Sequence, residues 1–199
     1  GAMHYPGGRD LDILAGSGAV VSHCPINLVR RGRVLDSWPR YARLGIPIAL
    51  GSDTFPRDMM MQMRSASYMA KAVSRDLTAA PANQVYDAAT LATADFLGRP
   101  DLGRLTEGGA ADIIIVDFAT AALRYGTVRD PIRALVDCGV CDDVETVIVD
   151  GVTRVAGRKV VGLDLEAMRR DVEADSWTQW DGVVDRDPLG RSVDERSPL

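Results

Sequence analysis

Two polar clusters carry the side chains best suited to chemistry in this sequence, with His23 and Asp53 standing 30 positions apart. The first cluster is His23-Cys24-Pro25, and the second is Gly51-Ser52-Asp53-Thr54. A carboxylate in such a loop can bind a divalent metal ion and take a proton from water, and an imidazole can orient a substrate. Each residue alone also has a plainer explanation. His23 could be a hydrogen-bonded residue that closes a strand, and Asp53 a turn residue or a helix cap.

Both clusters directly follow short apolar segments whose composition is typical of buried parallel strands. The strand segments are 19–22 and 46–50, and helical patterns lie at about 10–16, 34–44, 58–73 and 82–97. This alternation predicts a parallel α/β architecture. Because catalytic groups in such folds lie at the carboxyl ends of strands, we expect His23 and Asp53 to face the same rim.

From Gly103 onward the sequence becomes richer in β-forming residues. Strands are predicted at 111–118, 144–150, 153–155 and 159–161, helices at about 131–137 and 165–180, and an extended polar tail at 181–199. Only two parallel-type strands precede this part, and two strands do not make a stable parallel sheet with covered faces. We therefore expect the α/β part to be a piece of a larger fold.

Composition narrows the class of protein. The chain has 199 residues, 46% of them hydrophobic and 26% charged, as is usual for a globular protein. A net charge of −5 argues against a nucleic-acid surface, and no apolar run approaches the length of a membrane span. Three widely spread cysteines, without a signal-peptide pattern, favour the cytoplasm.

As an ordered set, His23-Cys24-Pro25 and Gly51-Ser52-Asp53 resemble the last two strand ends of the amidohydrolase superfamily barrel. The similarity is to the branch of cytosine, guanine and S-adenosylhomocysteine deaminases and triazine chlorohydrolases. The segment 102–117 resembles the return of that chain into its β-sandwich, and 147–151 resembles a later sandwich strand. The resemblance covers roughly residues 9–163.

This resemblance implies an α/β fold class, namely the C-terminal part of a TIM-type (β/α)8 barrel followed by part of a small β-sandwich and a C-terminal helix. The barrel segment, with strands 7 and 8, would occupy residues 4–100. The sandwich portion would occupy 101–163, and the helix and tail 164–199.

The resemblance also assigns roles to particular residues. Asp53 matches the aspartate that binds the metal ion and shuttles protons, so it is the expected catalytic residue and metal ligand. His23 matches a substrate-binding histidine, and Thr54 follows the aspartate closely enough to contact substrate. Asn27 lies near a pocket-lining serine and asparagine of the family, although Ile26-Asn27-Leu28 departs from the usual small-Ser-Asn run.

The family's other histidines are absent. Its members carry a His-x-His pair and further metal-binding and catalytic histidines on earlier strands, whereas this sequence has only His4 and His23. His4 stands in a loop-like segment and is not expected to be catalytic. Since a catalytic zinc needs about three protein ligands, the chain alone should not bind metal tightly.

The function implied is hydrolytic deamination, or related C–N or C–Cl hydrolysis, of a small nitrogen heterocycle. One Zn²⁺ or Fe²⁺ ion per active site would be the cofactor. The missing ligands would come from an N-terminal amidohydrolase-like chain, giving an oligomer, or from a longer parent protein of which this chain is the C-terminal part. The alternative is a non-catalytic structural or regulatory subunit, or a truncated remnant, of the same fold.

Overall fold

The computed structural model describes residues 8–53, 55–119 and 122–196. The chain divides into two compact units, one up to Lys159 and one from Val160. The first unit is a mixed α/β structure, and the second is helical. The division into segments at residues 100 and 163 stays a prediction.

A short parallel sheet lies at the centre of the α/β part. Strand β1 (Val21–His23) pairs with strand β2 (Ile48–Leu50), with Val21 opposite Ile48 and His23 opposite Leu50. Within the described residues these two strands form a sheet of their own. The helices around it are α1 (Gly8–Ser17), α2 (Pro25–Val29), α3 (Trp38–Arg43), α4 (Met59–Ser74), α5 (Ala82–Ala89) and α6 (Leu91–Phe96).

Helix α4 follows directly from its sequence. The Asp58 side chain accepts a hydrogen bond from the Met61 amide at the amino terminus, and Arg75 ends the helix in the left-handed conformation. Met60 and Met63 are buried, and the apolar face continues through small residues to Ala70. The predicted helix at 58–73 is therefore confirmed, and these two methionines belong to the core.

Two predicted helices have different bounds. The pattern at 34–44 forms only α3, because Ser37 caps it at Trp38 and Pro39 occupies its first turn. The predicted helix at 82–97 is divided into α5 and α6 at Thr90, whose backbone has φ −123° and ψ −82°.

The β-rich part forms an antiparallel sheet, and a helix between two of its strands packs against the α/β core. Its order is β3 (Ile113–Val116), β4 (Val144–Val149), β5 (Val152–Ala156) and β6 (Lys159–Val160). Helices α7 (Ala122–Tyr125) and α8 (Pro131–Cys138) connect β3 to β4. Leu135 and Val136 of α8 join the buried cluster that also contains Leu11, Tyr41 and Val85.

The unit from Val160 contains α9 (Leu165–Asp181), α10 (Val183–Arg186) and α11 (Val193–Arg196). The prediction of an extended tail at 181–199 was wrong, because its described part forms two short helices. Asp187 between them is buried and accepts hydrogen bonds from the side chain and amide of Arg191. Among the described residues, no helix is long and apolar enough to cross a membrane.

Asp58 connects the amino terminus of α4 to the segment that precedes β4. One of its carboxylate oxygens caps α4, and the other accepts a hydrogen bond from the Cys141 amide at 3.3 Å. We expect Asp58→Ala to lower the free energy of unfolding by about 2–3 kcal/mol, because a cap and a buried contact are both lost. Urea denaturation measures this.

Asp130→Ala is the matched control, because Asp130 caps α8 through the Arg133 amide but is exposed. It should cost only about 1 kcal/mol. Equal losses in the two variants would show that the Cys141 contact contributes nothing.

Candidate active site

The two predicted clusters lie side by side at the carboxyl ends of β1 and β2. Parallel pairing places these ends at the same edge of the sheet, and the Gly51 amide donates a hydrogen bond to the His23 carbonyl at 2.9 Å. A Cβ atom on Gly51 would lie 3.4 Å from the Cys24 Sγ, so the two loops are in close contact.

Asp53 projects from the loop after β2 and is exposed. Its backbone is left-handed, with φ 58°, a conformation that aspartate tolerates better than most residues. The Asn27 Nδ2 donates a hydrogen bond to Asp53 Oδ2. Since Asn27 is buried on α2, it holds the carboxylate in one orientation. Thr54, the other predicted substrate contact in this loop, lies outside the described residues, as does His4.

Gln62 on α4 connects the two loops, although the sequence analysis did not identify it. Its side chain is fully buried, its Oε1 accepts from the Ile26 amide at 3.1 Å, and its Nε2 donates to the Pro56 carbonyl at 3.3 Å. The only signal for it in the sequence is a single amide side chain among methionines, in Met59-Met60-Met61-Gln62-Met63, within the helix predicted at 58–73.

Arg30 makes a second connection between the same loops. Its Nη1 donates to the Phe55 carbonyl at 3.0 Å, and its guanidinium carbon lies 4.3 Å from the centroid of the Phe55 ring. Arg30 ends α2, the helix that carries Asn27. The segment that holds Asp53 is therefore fixed from both sides.

His23 occupies a different environment from Asp53. Its side chain is 4% exposed and borders a small cavity of about 10 Å³, which is lined mostly by apolar residues of α4 and of the segment that leads into α3. The Trp38 ring meets it edge-on at 6.2 Å between centroids. Burial lowers the pKa of His23 to about 4, so the imidazole is neutral at neutral pH. Its substrate-binding role stays a prediction.

Cys24 directly follows His23, and its thiol is unreactive at neutral pH. Burial, reinforced by the negative charge of Asp53, raises the pKa of the Cys24 thiol. At neutral pH it therefore stays protonated, and a protonated thiol is a poor nucleophile and metal ligand.

The described residues do not by themselves form a metal centre. Across 8–53, 55–119 and 122–196, no cluster of three or more His, Cys, Asp or Glu side chains is arranged to hold an ion. Asp53 can contribute one ligand, and a catalytic zinc needs about three from protein.

Comparison with known proteins identifies the family. Residues 2–154 match the model of the Amidohydrolase family. A 5-methylthioadenosine/S-adenosylhomocysteine deaminase of Pelotomaculum thermopropionicum is 31% identical over 168 residues, which are 82% of this chain and 38% of the relative. The chain belongs to the amidohydrolase family.

Solved structures agree with this assignment. A zinc-bound adenosine deaminase from Xanthomonas campestris aligns with TM-score 0.79 and 26% identity, covering 89% of this chain and 40% of that one. An atrazine chlorohydrolase from Arthrobacter aurescens, complexed with zinc, aligns with TM-score 0.76 and 26% identity, covering 86% and 39%. The chain thus spans about two fifths of the length of these proteins.

Replacing Gln62 should loosen both loops. Gln62→Leu keeps the volume but leaves the Ile26 amide and the Pro56 carbonyl unpaired, so we expect a loss of about 2–4 kcal/mol in unfolding free energy. Hydrogen exchange at the Ile26 amide should accelerate.

The matched control is Gln84→Leu, since Gln84 is exposed on α5 and accepts one hydrogen bond from the Trp38 indole at 3.2 Å. It should leave exchange at Ile26 unchanged. Unaltered Ile26 exchange in Gln62→Leu would disprove the bridging role.

The buried His23 predicts a pH dependence of stability. Its folded pKa of about 4 lies below the ordinary value of 6.5, so the unfolded chain binds the additional proton. Stability should therefore fall as pH decreases from about 6.5 to about 4, by up to about 3 kcal/mol.

Urea titrations of wild type and His23→Gln across that range measure the effect. The slope of the unfolding free energy against pH should be smaller in His23→Gln. An unchanged slope in that variant would assign the effect to other groups.

Proposed function

We propose that this chain is the C-terminal part, or a subunit, of a metal-dependent amidohydrolase that deaminates a nitrogen heterocycle or catalyses related C–N or C–Cl hydrolysis. An N-terminal amidohydrolase-like chain would complete it. The observation that carries the proposal is Asp53, a carboxylate at the carboxyl end of β2 that Asn27 holds by one oxygen. Membership of the family and the named activities of the relatives support the reaction class.

In this proposal β1 and β2 are strands 7 and 8 of a (β/α)8 barrel. Two observations support this: the strands are parallel, and each is followed by helix, as in barrel repeats. Residues 4–100 would be the barrel segment, 101–163 the sandwich portion and 164–199 the terminal helix and tail. The partner chain would supply the neighbouring strands.

Asp53 would move the proton during hydrolysis. Its Oδ2 is engaged by Asn27, and its Oδ1 has no hydrogen bond to the described residues, so Oδ1 can accept a proton from the attacking water and return it to the leaving group. A divalent ion, Zn²⁺ or Fe²⁺, lowers the pKa of water in sites of this class. The fit is partial, since Asp53 offers one of the ligands and the remainder must come from the partner.

The alternative is a non-catalytic subunit or remnant of the same fold. It is favoured by the lack of a metal-binding cluster among the described residues and by the exposure of Asp53. Activity of this chain in complex with its proposed partner distinguishes the catalytic proposal from this alternative.

The test measures bound zinc and ammonia release for the chain alone and for the chain co-expressed with the product of a neighbouring amidohydrolase-like gene. Adenosine, guanine and S-adenosylhomocysteine are the substrates offered. We expect activity and stoichiometric metal only in the complex, and a loss of about 10²–10⁴-fold in kcat for Asp53→Asn.

Asp150→Asn is a close control, because Asp150 is also an exposed aspartate with a left-handed backbone, at φ 49°, but lies in the turn between β4 and β5. It should keep full activity. A fully active Asp53→Asn complex would refute the proposed role of Asp53.

A further inference from the structure

We propose that Phe55 and Arg30 form a stacking platform that binds the flat ring of the substrate beside Asp53. The platform is defined by the Phe55 ring and the Arg30 guanidinium behind it. It rests on the proposed function for the identity of its ligand as a nitrogen heteroaromatic ring, and it makes Phe55 a substrate-binding residue.

The geometry leaves one face of the Phe55 ring available. The Arg30 guanidinium carbon lies 4.3 Å from the ring centroid, which is the distance of a close cation–π contact. The side chain of Phe55 is nevertheless 69% exposed. Since the guanidinium covers one face, the opposite face is open to solvent and can receive a second planar group.

The platform is held at a fixed position relative to the carboxylate. Phe55 is bound through its carbonyl by Arg30, and the next carbonyl, that of Pro56, accepts from the buried Gln62. Arg30 belongs to the end of α2, whose Asn27 holds Asp53. The same supports therefore position the ring that would stack the substrate and the oxygen that would transfer the proton.

The charge of the platform defines the class of ligand. The guanidinium already draws on the electron density of the Phe55 ring, and its own charge disfavours a second cation at the opposite face. A neutral purine- or triazine-like ring fits this surface, whereas a cationic ring of the same shape does not. Stacking on an aromatic side chain tolerates different bases, because every base has a π-face.

The test uses the intact chain without metal and adenosine as the probe. Saturation-transfer NMR and chemical-shift titration should detect adenosine through its H2 and H8 protons. We expect Phe55→Ala to weaken binding about tenfold or more, and Phe55→Tyr to retain it. 1-Methyladenosine, which is cationic at neutral pH, should bind more weakly than adenosine to wild type.

Two variants separate stacking from general effects of truncation. Phe96→Ala removes a phenylalanine that is 58% exposed on α6, and Arg31→Ala removes the exposed arginine next to Arg30. Both should leave adenosine binding unchanged, while Arg30→Ala should weaken it several-fold. If Arg30→Ala no longer binds adenosine more tightly than 1-methyladenosine, the preference of the wild type comes from the charge of Arg30.

The outcomes distinguish this inference from the proposed function. Absence of adenosine binding to wild type, or wild-type affinity in Phe55→Ala, overturns the platform even if the completed enzyme is active. Conversely, if Asp53→Asn leaves catalysis intact while Phe55→Ala loses adenosine, the platform stands and the proposed role of Asp53 fails.

Discussion

The pair of hydrogen bonds made by the buried Gln62 amide is the contact on which the site depends. The loops after β1 and β2 follow strands of only three residues each, so contacts beyond the short β1–β2 ladder must hold the two loops together. Gln62 joins the two loops through Ile26 and Pro56, in an interior where an unpaired amide would be costly. Gln62 thereby holds the backbone next to Asn27 and next to Phe55, while Asn27 and Arg30 contact Asp53 and Phe55 directly.

Hydrogen bonds hold the Asp53 side of the site in place, although the described residues do not complete a metal centre. Asn27, Gln62 and Arg30 position a single carboxylate and a single aromatic ring. His23, in contrast, belongs to the packing between α4 and Trp38, and its lowered pKa of about 4 makes it a neutral interior residue at neutral pH. A single carboxylate held in this way agrees with the proposed function, in which the other metal ligands come from other strands.

The sequence predicted those parts of the fold that depend on local signals. Helix α4 has a capping aspartate and an apolar period, so its bounds were found within a residue, and the pairing of β1 with β2 follows from two apolar runs that end in polar clusters. The break at Thr90 has no glycine or proline to mark it, and the tail helices have little apolar periodicity. The tail helices depend on specific side-chain contacts that the pattern does not reveal, such as the hydrogen bonds that Asp187 accepts from the amide and side chain of Arg191, four residues further on.

The candidate site was predictable only in part for the same reason. Residue type and position at a strand end identified Asp53, and resemblance identified Asn27 beside it. The sequence-distant partners of Gln62 and Arg30 are the Ile26 amide and the Phe55 carbonyl, and a helical pattern does not indicate such backbone partners. The burial of His23 on the helix-facing side of β1 depends on α3 and α4, which close over it only in the folded chain.

Native mass spectrometry of this chain isolated from its own cells tests the central claim most directly, that Asp53 is one part of a metal centre completed by other residues. The account predicts that Asp53 is isolated together with a His-x-His sequence and one divalent ion, either within one longer polypeptide or in a complex of this chain with a second polypeptide. A metal-free monomer of this chain, or an assembly of this chain alone, would contradict it.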